Sequence, residues 1–315
     1  MTPPSPSSGA TIRATAGLRS EDAPQPLKAA LWMIGAIVSF SSMAVAGRSL
    51  SSELDTFEIM TYRSFIGIAI VVGCGALWGT LGQIRTDRIG THLVRNVFHF
   101  TGQNLWFYAL TMIPLAQVFA LEFSSPLWVT LCAPLFLKER LTLARLLCAL
   151  SGFAGILIVA RPAVDHFDPG LAAAALAAVG FAGSALFTKL LTHDQSITCI
   201  LFWLTVMQAA FGLACAGFDG DIAVPSPALV PLVVLVGIAG LLAHMCLTKA
   251  LTFAPASIVM PFDFLRLPVI AAVGMLLYGE PLDIWVLVGA IVIFGANYLN
   301  IWTEARGRRQ SVTVS

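Results

Sequence analysis

Two carboxylates, Glu122 and Asp263, each stand in the middle of a long apolar run. A charged side chain at such a depth in hydrocarbon costs about 3 kcal/mol or more, so an ionisable residue there marks a functional site by default. Each carboxylate could hold a solute ammonium or carry a proton in a central cavity, since desolvation moves a carboxyl group toward physiological titration. The plainer reading ties each up in a helix–helix hydrogen bond or ion pair. Arg266 follows Asp263 by three residues, which puts both on one helix face. It either grips a solute carboxylate or phosphate, or it neutralises Asp263. Arg95, His99 and Gln103 fall at four-residue steps, with Asn104 and Trp106 beside them, and form a polar stripe on one face. His99 and His244 suit proton relay; equally, each can satisfy a neighbouring helix. Arg63, preceded by Tyr62, either faces the cavity or reaches an interface. Trp106, Tyr108, Phe123, Phe262 and Phe264 lie among these groups, where they could stack on a flat or cationic solute or simply pack helices.

The elements that hold these residues repeat. Glu122 and Asp263 are 141 residues apart, and the same offset carries residues 109–141 onto 250–282 without a gap. Ala109, Leu110, Thr111, Pro114, Val118, Phe123, Leu135, Glu139 and Leu141 each meet an identical residue, and Phe40, Ala44 and Arg48 meet Phe181, Ala185 and Lys189. Leu and Ala matches are cheap. A matched proline, a matched mid-run acid and a matched terminal Glu in one register indicate a true internal repeat.

Composition names the solvent of this chain. Of 315 residues, 57% are hydrophobic and 11% charged, against about 25% charged in soluble domains; lipid must cover the surface. The net charge of +1, without a basic cluster, excludes a nucleic-acid partner. There is no phosphate-binding glycine loop, no HExxH and no metal-spaced His/Cys set, so neither a metal nor a cofactor is expected. The six cysteines all fall in apolar runs and read as reduced thiols.

Spanning a bilayer takes roughly 17–25 apolar residues per helix. Runs of that kind lie near residues 28–48, 57–79, 93–112, 114–136, 142–160, 170–190, 196–217, 228–249, 256–278 and 283–302. The expectation is an all-α integral membrane protein of ten transmembrane helices in two five-helix repeats, residues 28–162 and 169–302. They are flanked by a disordered N-terminal segment, 1–27, and a short tail, 303–315. Because five is odd, the second repeat enters from the opposite side, giving an inverted-topology repeat with its solute site near the midplane. With the N-terminus inside, Lys and Arg crowd the inner loops; the outer ones hold only Arg48 and Arg161, with the acids Glu53, Asp55, Asp165, Asp168, Asp219, Asp221, Glu280 and Asp283, of which Glu53, Asp55, Asp165 and Asp168 read as solvated loop surface. Both termini are therefore expected in the cytoplasm. Trp32, Trp78, Trp285 and Trp302 fit an interfacial aromatic belt. Small-residue runs at Gly152 and Gly155, at Gly180 and Gly183, and at Gly289 and Gly295 suit close helix crossings.

The pattern ALTxxPxAxVxxLExxxPLW over Ala109 to Trp128, Glu139-Arg140 at the end of the fourth helix, GxxGILIVARP from Gly152 to Pro162, and Gly279-Glu280-Pro281 in the second copy resemble the drug/metabolite transporter superfamily, EamA type. The resemblance spans nearly all of residues 28–302. It implies a secondary transporter of the bacterial inner membrane that moves a small polar metabolite by alternating access, by proton coupling or exchange, without ATP. Members similar in the third helix are assigned to S-adenosylmethionine, riboflavin or amino acids. A homodimer is one arrangement open to it. Two other classes remain as alternatives: a membrane-embedded enzyme acting on a lipid-linked substrate, and a sensor or scaffold without flux. The repeat symmetry fails at Arg266, whose counterpart, Ser125, is uncharged.

Overall fold

The computed structural model describes residues 25–137, 143–161, 168–218, 220–254, 259 and 262–312, with side chains to residue 302. The expected disordered segment as far as residue 24, the end of the fourth helix with Glu139 and Arg140, Asp165, Asp219, Pro255 and the last residues of the tail lie outside that set.

Among the described residues, ten helical crossings follow the expected runs. The first repeat holds α1 (Pro26–Leu50), α2 (Thr56–Leu77), α3 (Ile89–Met112), α4 (Leu115–Glu122), α5 (Ser125–Leu137) and α6 (Leu143–Ala160). The second holds α7 (Pro169–Leu191), α8 (Ile197–Ala216), α9 (Val230–Phe253), α10 (Arg266–Tyr278) and α11 (Ile284–Val312). The 141-residue offset recurs in the boundaries. Leu50, Met112 and Leu137 end helices whose counterparts end at Leu191, Phe253 and Tyr278, and Asp55 caps α2 where Ser196 caps α8. Seven of the described segments are long and apolar enough to cross a membrane on their own account. The other three fall short for visible reasons: α3 carries the polar stripe, α6 is short in its apolar part, Leu146–Ala160, and α10 begins only after a break.

Every major packing pair joins the two repeats: α1 lies on α9, α3 on α7, α2 on α8, α6 on α11, and α4 on α10. Exchange of the repeats turns α1–α9 into α7–α3 and maps α2–α8 and α6–α11 onto themselves, so the two bundles interlock about one pseudo-two-fold axis. Leu27, Leu31, Ile34 and Val38, at helical spacing, leave an apolar stripe of α1 exposed to the surroundings, as lipid contact requires. Trp78 and Trp285 are exposed at helix ends, and Trp302 is exposed inside α11, which runs on to Val312.

The fourth and ninth crossings differ from the continuous helices expected. The fourth is broken at Phe123–Ser124 between α4 and α5. The ninth turns at Leu265 between helical residues 262–264 and α10. Ser124 and Leu265 are one repeat offset apart, so the break itself is duplicated. Proline is the cause on both sides: Pro126 cannot donate to the Glu122 carbonyl, nor Pro268 to that of Phe264. The chain tightens into i→i+3 bonds instead, Leu127 N–H to the Ser124 carbonyl at 2.9 Å and Leu265 N–H to that of Phe262 at 3.1 Å. The Phe123 carbonyl, freed by the turn, accepts from Asn297 Nδ2 of α11 at 2.7 Å. Both carboxylates singled out from the sequence sit beside these breaks.

Glycine sets two of the crossings. A Cβ on Gly180 would lie 2.7 Å from Gly102 Cα, and one on Gly289 would lie 2.7 Å from the Gly155 carbonyl oxygen. Gly295 has open space around its Cβ direction and plays no such part. Gly180→Val is expected to wedge α3 from α7 and to destabilise the protein by about 1–3 kcal/mol, read as a lower unfolding midpoint in detergent. An unchanged midpoint would show that the backbones do not meet there.

Several loop acids expected to be solvated are instead structural. Asp55 and Glu58 form a capping box at the start of α2. Asp168 caps α7 through the Gly170 and Leu171 amides. Glu53 accepts from Ser226, main chain and hydroxyl. Glu280, a further outer acid for which solvation was not expected, pairs with Arg48 and accepts the Leu115 N–H at 2.9 Å, and so stitches α1, the start of α4 and the end of α10 together.

Candidate functional site

The site forms where α3, α4 and α10 meet between the repeats. Glu122 ends α4. Trp106 Nε1 of α3 donates to its Oε2 at 2.8 Å, and Arg266 Nη2 at the start of α10 donates to its Oε1 at 3.0 Å. The same Nη2 lies 3.5 Å from Asp263 Oδ2. One guanidinium thus bridges two carboxylates that are repeat counterparts. The spacing of Asp263 and Arg266 suggested a pair along one helix; the closer partner is Glu122 from the other repeat, brought into reach by the turn at Leu265. Arg266 is 3% exposed. Its guanidinium carbon stands over three rings, Phe40 at 4.5 Å, Phe119 at 5.1 Å and Phe123 at 5.0 Å. Such faces favour a desolvated cation. Two acids and one base leave a formal excess of one negative charge. Asp263 Oδ1 has no hydrogen-bond partner, and neither do Arg266 Nε and Nη1. Unmade bonds of this kind are rare in an interior and give this cluster spare capacity for a solute or a proton.

Trp106 is 2% exposed, packs edge-on to Phe107 and Phe119, and orients Glu122. No face of it is open for stacking. A row of rings leads away from the cluster: Arg266 over Phe40, Phe40 edge-on to His244 at 5.6 Å, His244 to His99 at 6.4 Å, and His99 edge-on to Phe181 at 6.2 Å. Phe40 and Phe181 are repeat counterparts, and the two histidines between them are not: the counterpart of His244 is Gln103 and that of His99 is Gly240. His244 is exposed although its ring touches interior rings, which shows that a crevice enters the bundle there. His99 also lines a small hollow of about 20 Å³ between α2, α3, α8 and α9, together with Met60, Arg63, Thr205, Gln208 and Leu241.

Most of the residues chosen from sequence therefore converge: Glu122, Asp263, Arg266 and Trp106 in one cluster, and Arg63 and His99 at the hollow, with His244 against His99 at the crevice. Gln103, one turn beyond His99, is buried with its Nε2 unpaired. Tyr62 does not join them. Its hydroxyl donates to the Ala223 carbonyl at 2.7 Å in the α8–α9 connection, because one residue before Arg63 is about 100° around the helix. Sequence reasoning missed Gln208, Thr205, Asn297 and Phe40 as site or support residues. A lone polar residue in an apolar helix was the available signal for Gln208 and Asn297. Among the described residues, no group of three His, Cys, Asp or Glu side chains could hold a metal ion.

Known proteins bear on this geometry. A riboflavin transporter of Brucella anthropi is 36% identical over 218 residues, 68% of this chain and 77% of its own. A riboflavin transporter of Vibrio cholerae is 29% identical over 90% of this chain and 97% of its own. An S-adenosylmethionine uptake transporter of Rickettsia bellii is 25% identical over 89% and 96%. A protein of known crystal structure superimposes with a TM-score of 0.61 at 20% identity, covering 88% of this chain and 98% of that one, which shows a shared fold. The EamA-like transporter family matches twice, over residues 27–161 and again over 168–302, and on that double match this chain belongs to the EamA-like transporters of the drug/metabolite transporter superfamily.

Proposed function

We propose that the protein is a secondary active transporter that carries a small polar metabolite across the bacterial inner membrane by alternating access. The observation that carries the proposal is the bridge from Arg266 to Glu122 and Asp263, a charged joint between two interlocked inverted repeats, set beside a duplicated helix break. Broken helices at the repeat interface expose main-chain groups and charge where a solute can reach them. The two repeats, 28–162 and 169–302, are the bodies that rock about the joint. The Lys and Arg bias of alternate loops supports an orientation with both termini in the cytoplasm; a reporter fused to the C-terminus reads it directly.

The relatives supply the solutes to try first, riboflavin and S-adenosylmethionine. Both are ring-bearing polar molecules, and the rings around the crevice suit them. Protein reconstituted into sealed vesicles is expected to take up one of the two saturably. Stimulation by an imposed proton gradient would assign proton coupling, and stimulation by preloaded solute would assign exchange. Uptake of neither solute, with no small molecule copurifying in the mass spectrum, would overturn the reading.

A further inference from the structure

We infer that the hollow around Arg63 is an anion-binding subsite, which takes the carboxylate or phosphate end of the solute, a feature that S-adenosylmethionine has and riboflavin lacks. The word solute rests on the transporter reading; the anion preference does not. Two guanidiniums lie inside the bundle without a carboxylate within ion-pair distance among the described residues. Arg95 is held by Thr188 Oγ1 at 3.0 Å and Asn96 Oδ1 at 3.2 Å, while the one bond of Arg63 is a 3.7 Å contact to Met60 Sδ. The interior acids are committed elsewhere. Glu122 and Asp263 share Arg266, and Glu58 caps α2 and accepts the Ala223 N–H. Arg266, the natural candidate for an anion clamp on sequence grounds, already faces two acids.

The hollow is shaped for what Arg63 lacks. Gly240 carries no side chain, and Arg63 Nη2 lies 2.7 Å from where its Cβ would be, so the guanidinium lies against the α9 backbone. His99 and Gln208 line the same hollow. They are 5% and 3% exposed; His99 Nδ1 has no partner and can donate to an oxyanion, whereas the unpartnered Gln208 Oε1 is an acceptor and takes no part in holding the anion, Gln208 Nε2 being used on the Asn96 carbonyl at 3.0 Å. A guanidinium in a low-dielectric setting binds an oxyanion through paired, charge-assisted bonds. An incoming anion supplies the counter-charge that the protein withholds. Buried positive charge without an internal partner is otherwise costly.

The test uses the purified full chain in detergent and three probes of one size: benzoate, phenyl phosphate and benzamide. Either anion is expected to bind at least about tenfold tighter than neutral benzamide by calorimetric titration, and the tighter of the two identifies carboxylate or phosphate as the natural group. Arg63→Gln is expected to erase the preference and Arg63→Lys to keep part of it. Gly240→Ala leaves the charge in place but displaces the guanidinium; it should lower anion affinity with benzamide unaffected, and it decides the matter if Arg63→Gln does not fold. Equal binding of benzoate and benzamide, no binding of either anion, or a preference intact in Gly240→Ala and in any folded Arg63→Gln protein would overturn the inference. Because no vesicle is involved, a protein that selects anions but moves no solute would sink the transporter reading alone. One that moves solute without selecting anions would sink this inference alone.

Discussion

Glu122→Gln and Asp263→Asn are each expected to cut solute flux in vesicles by at least about tenfold while the chain still folds. Each replacement keeps the shape and an oxygen. In the first variant, Trp106 Nε1 can still donate to the amide oxygen that replaces the carboxylate, at the 2.8 Å separation seen for Glu122. What each removes is one of the two charges that face Arg266. With both acids present, the guanidinium has unequal partners, Glu122 at 3.0 Å and Asp263 at 3.5 Å. A rocking motion of one repeat on the other must change that inequality, since Glu122 belongs to the first repeat and Asp263 to the second. A neutral amide on either side leaves a single ion pair and a joint with one preferred setting. A solute cation or proton then finds no excess negative charge at the cluster. Flux at the wild-type rate from both variants would remove the two carboxylates from the mechanism. Loss of flux with solute binding intact would place them in the motion itself.

How much of this was legible in the sequence follows the range of the interactions. The ten crossings are set by runs of apolar residues, and a run is local; eight expected spans are single helices, while the fourth and ninth are broken and the start of the ninth lies partly outside the described residues. The repeat is also local in effect, because a fixed offset needs only a comparison of the chain with itself, and it foretold paired boundaries such as Leu50 with Leu191. The breaks were written in Pro126 and Pro268, yet spanning helices tolerate proline wherever a neighbour takes up the freed carbonyl. That neighbour, Asn297, is 174 positions from Phe123. Arg266 shows the same limit: helical spacing points to Asp263, while the shorter bond goes to Glu122, 144 positions away. Loop acids such as Asp168 looked like solvated surface because capping depends on where a helix starts, and sequence places a start only to within a few residues. The candidate site was thus legible as a set of expensive residues, and its wiring was not.

Arg266→Met is expected to be the most damaging single change to stability. It leaves Glu122 and Asp263 facing one another, 16% and 15% exposed at the side chain, with no counter-charge. Breaking a buried ion pair by removing one partner costs about 3–5 kcal/mol, and here the lost cation also covered three phenyl rings. The unfolding midpoint in detergent should fall accordingly. Adding Glu122→Gln to Arg266→Met should restore part of the loss, with a coupling of about 1–3 kcal/mol in the double-mutant cycle, because the amide no longer demands a cation. Strict additivity would mean that the two side chains do not interact in solution. The triple variant, with Asp263→Asn as well, contains no buried charge at the joint and should approach wild-type stability, as neutral replacements of buried ion networks often do. It should carry no solute. Stability regained without flux would show that the charges are kept for transport, since the fold can hold its two repeats together without them.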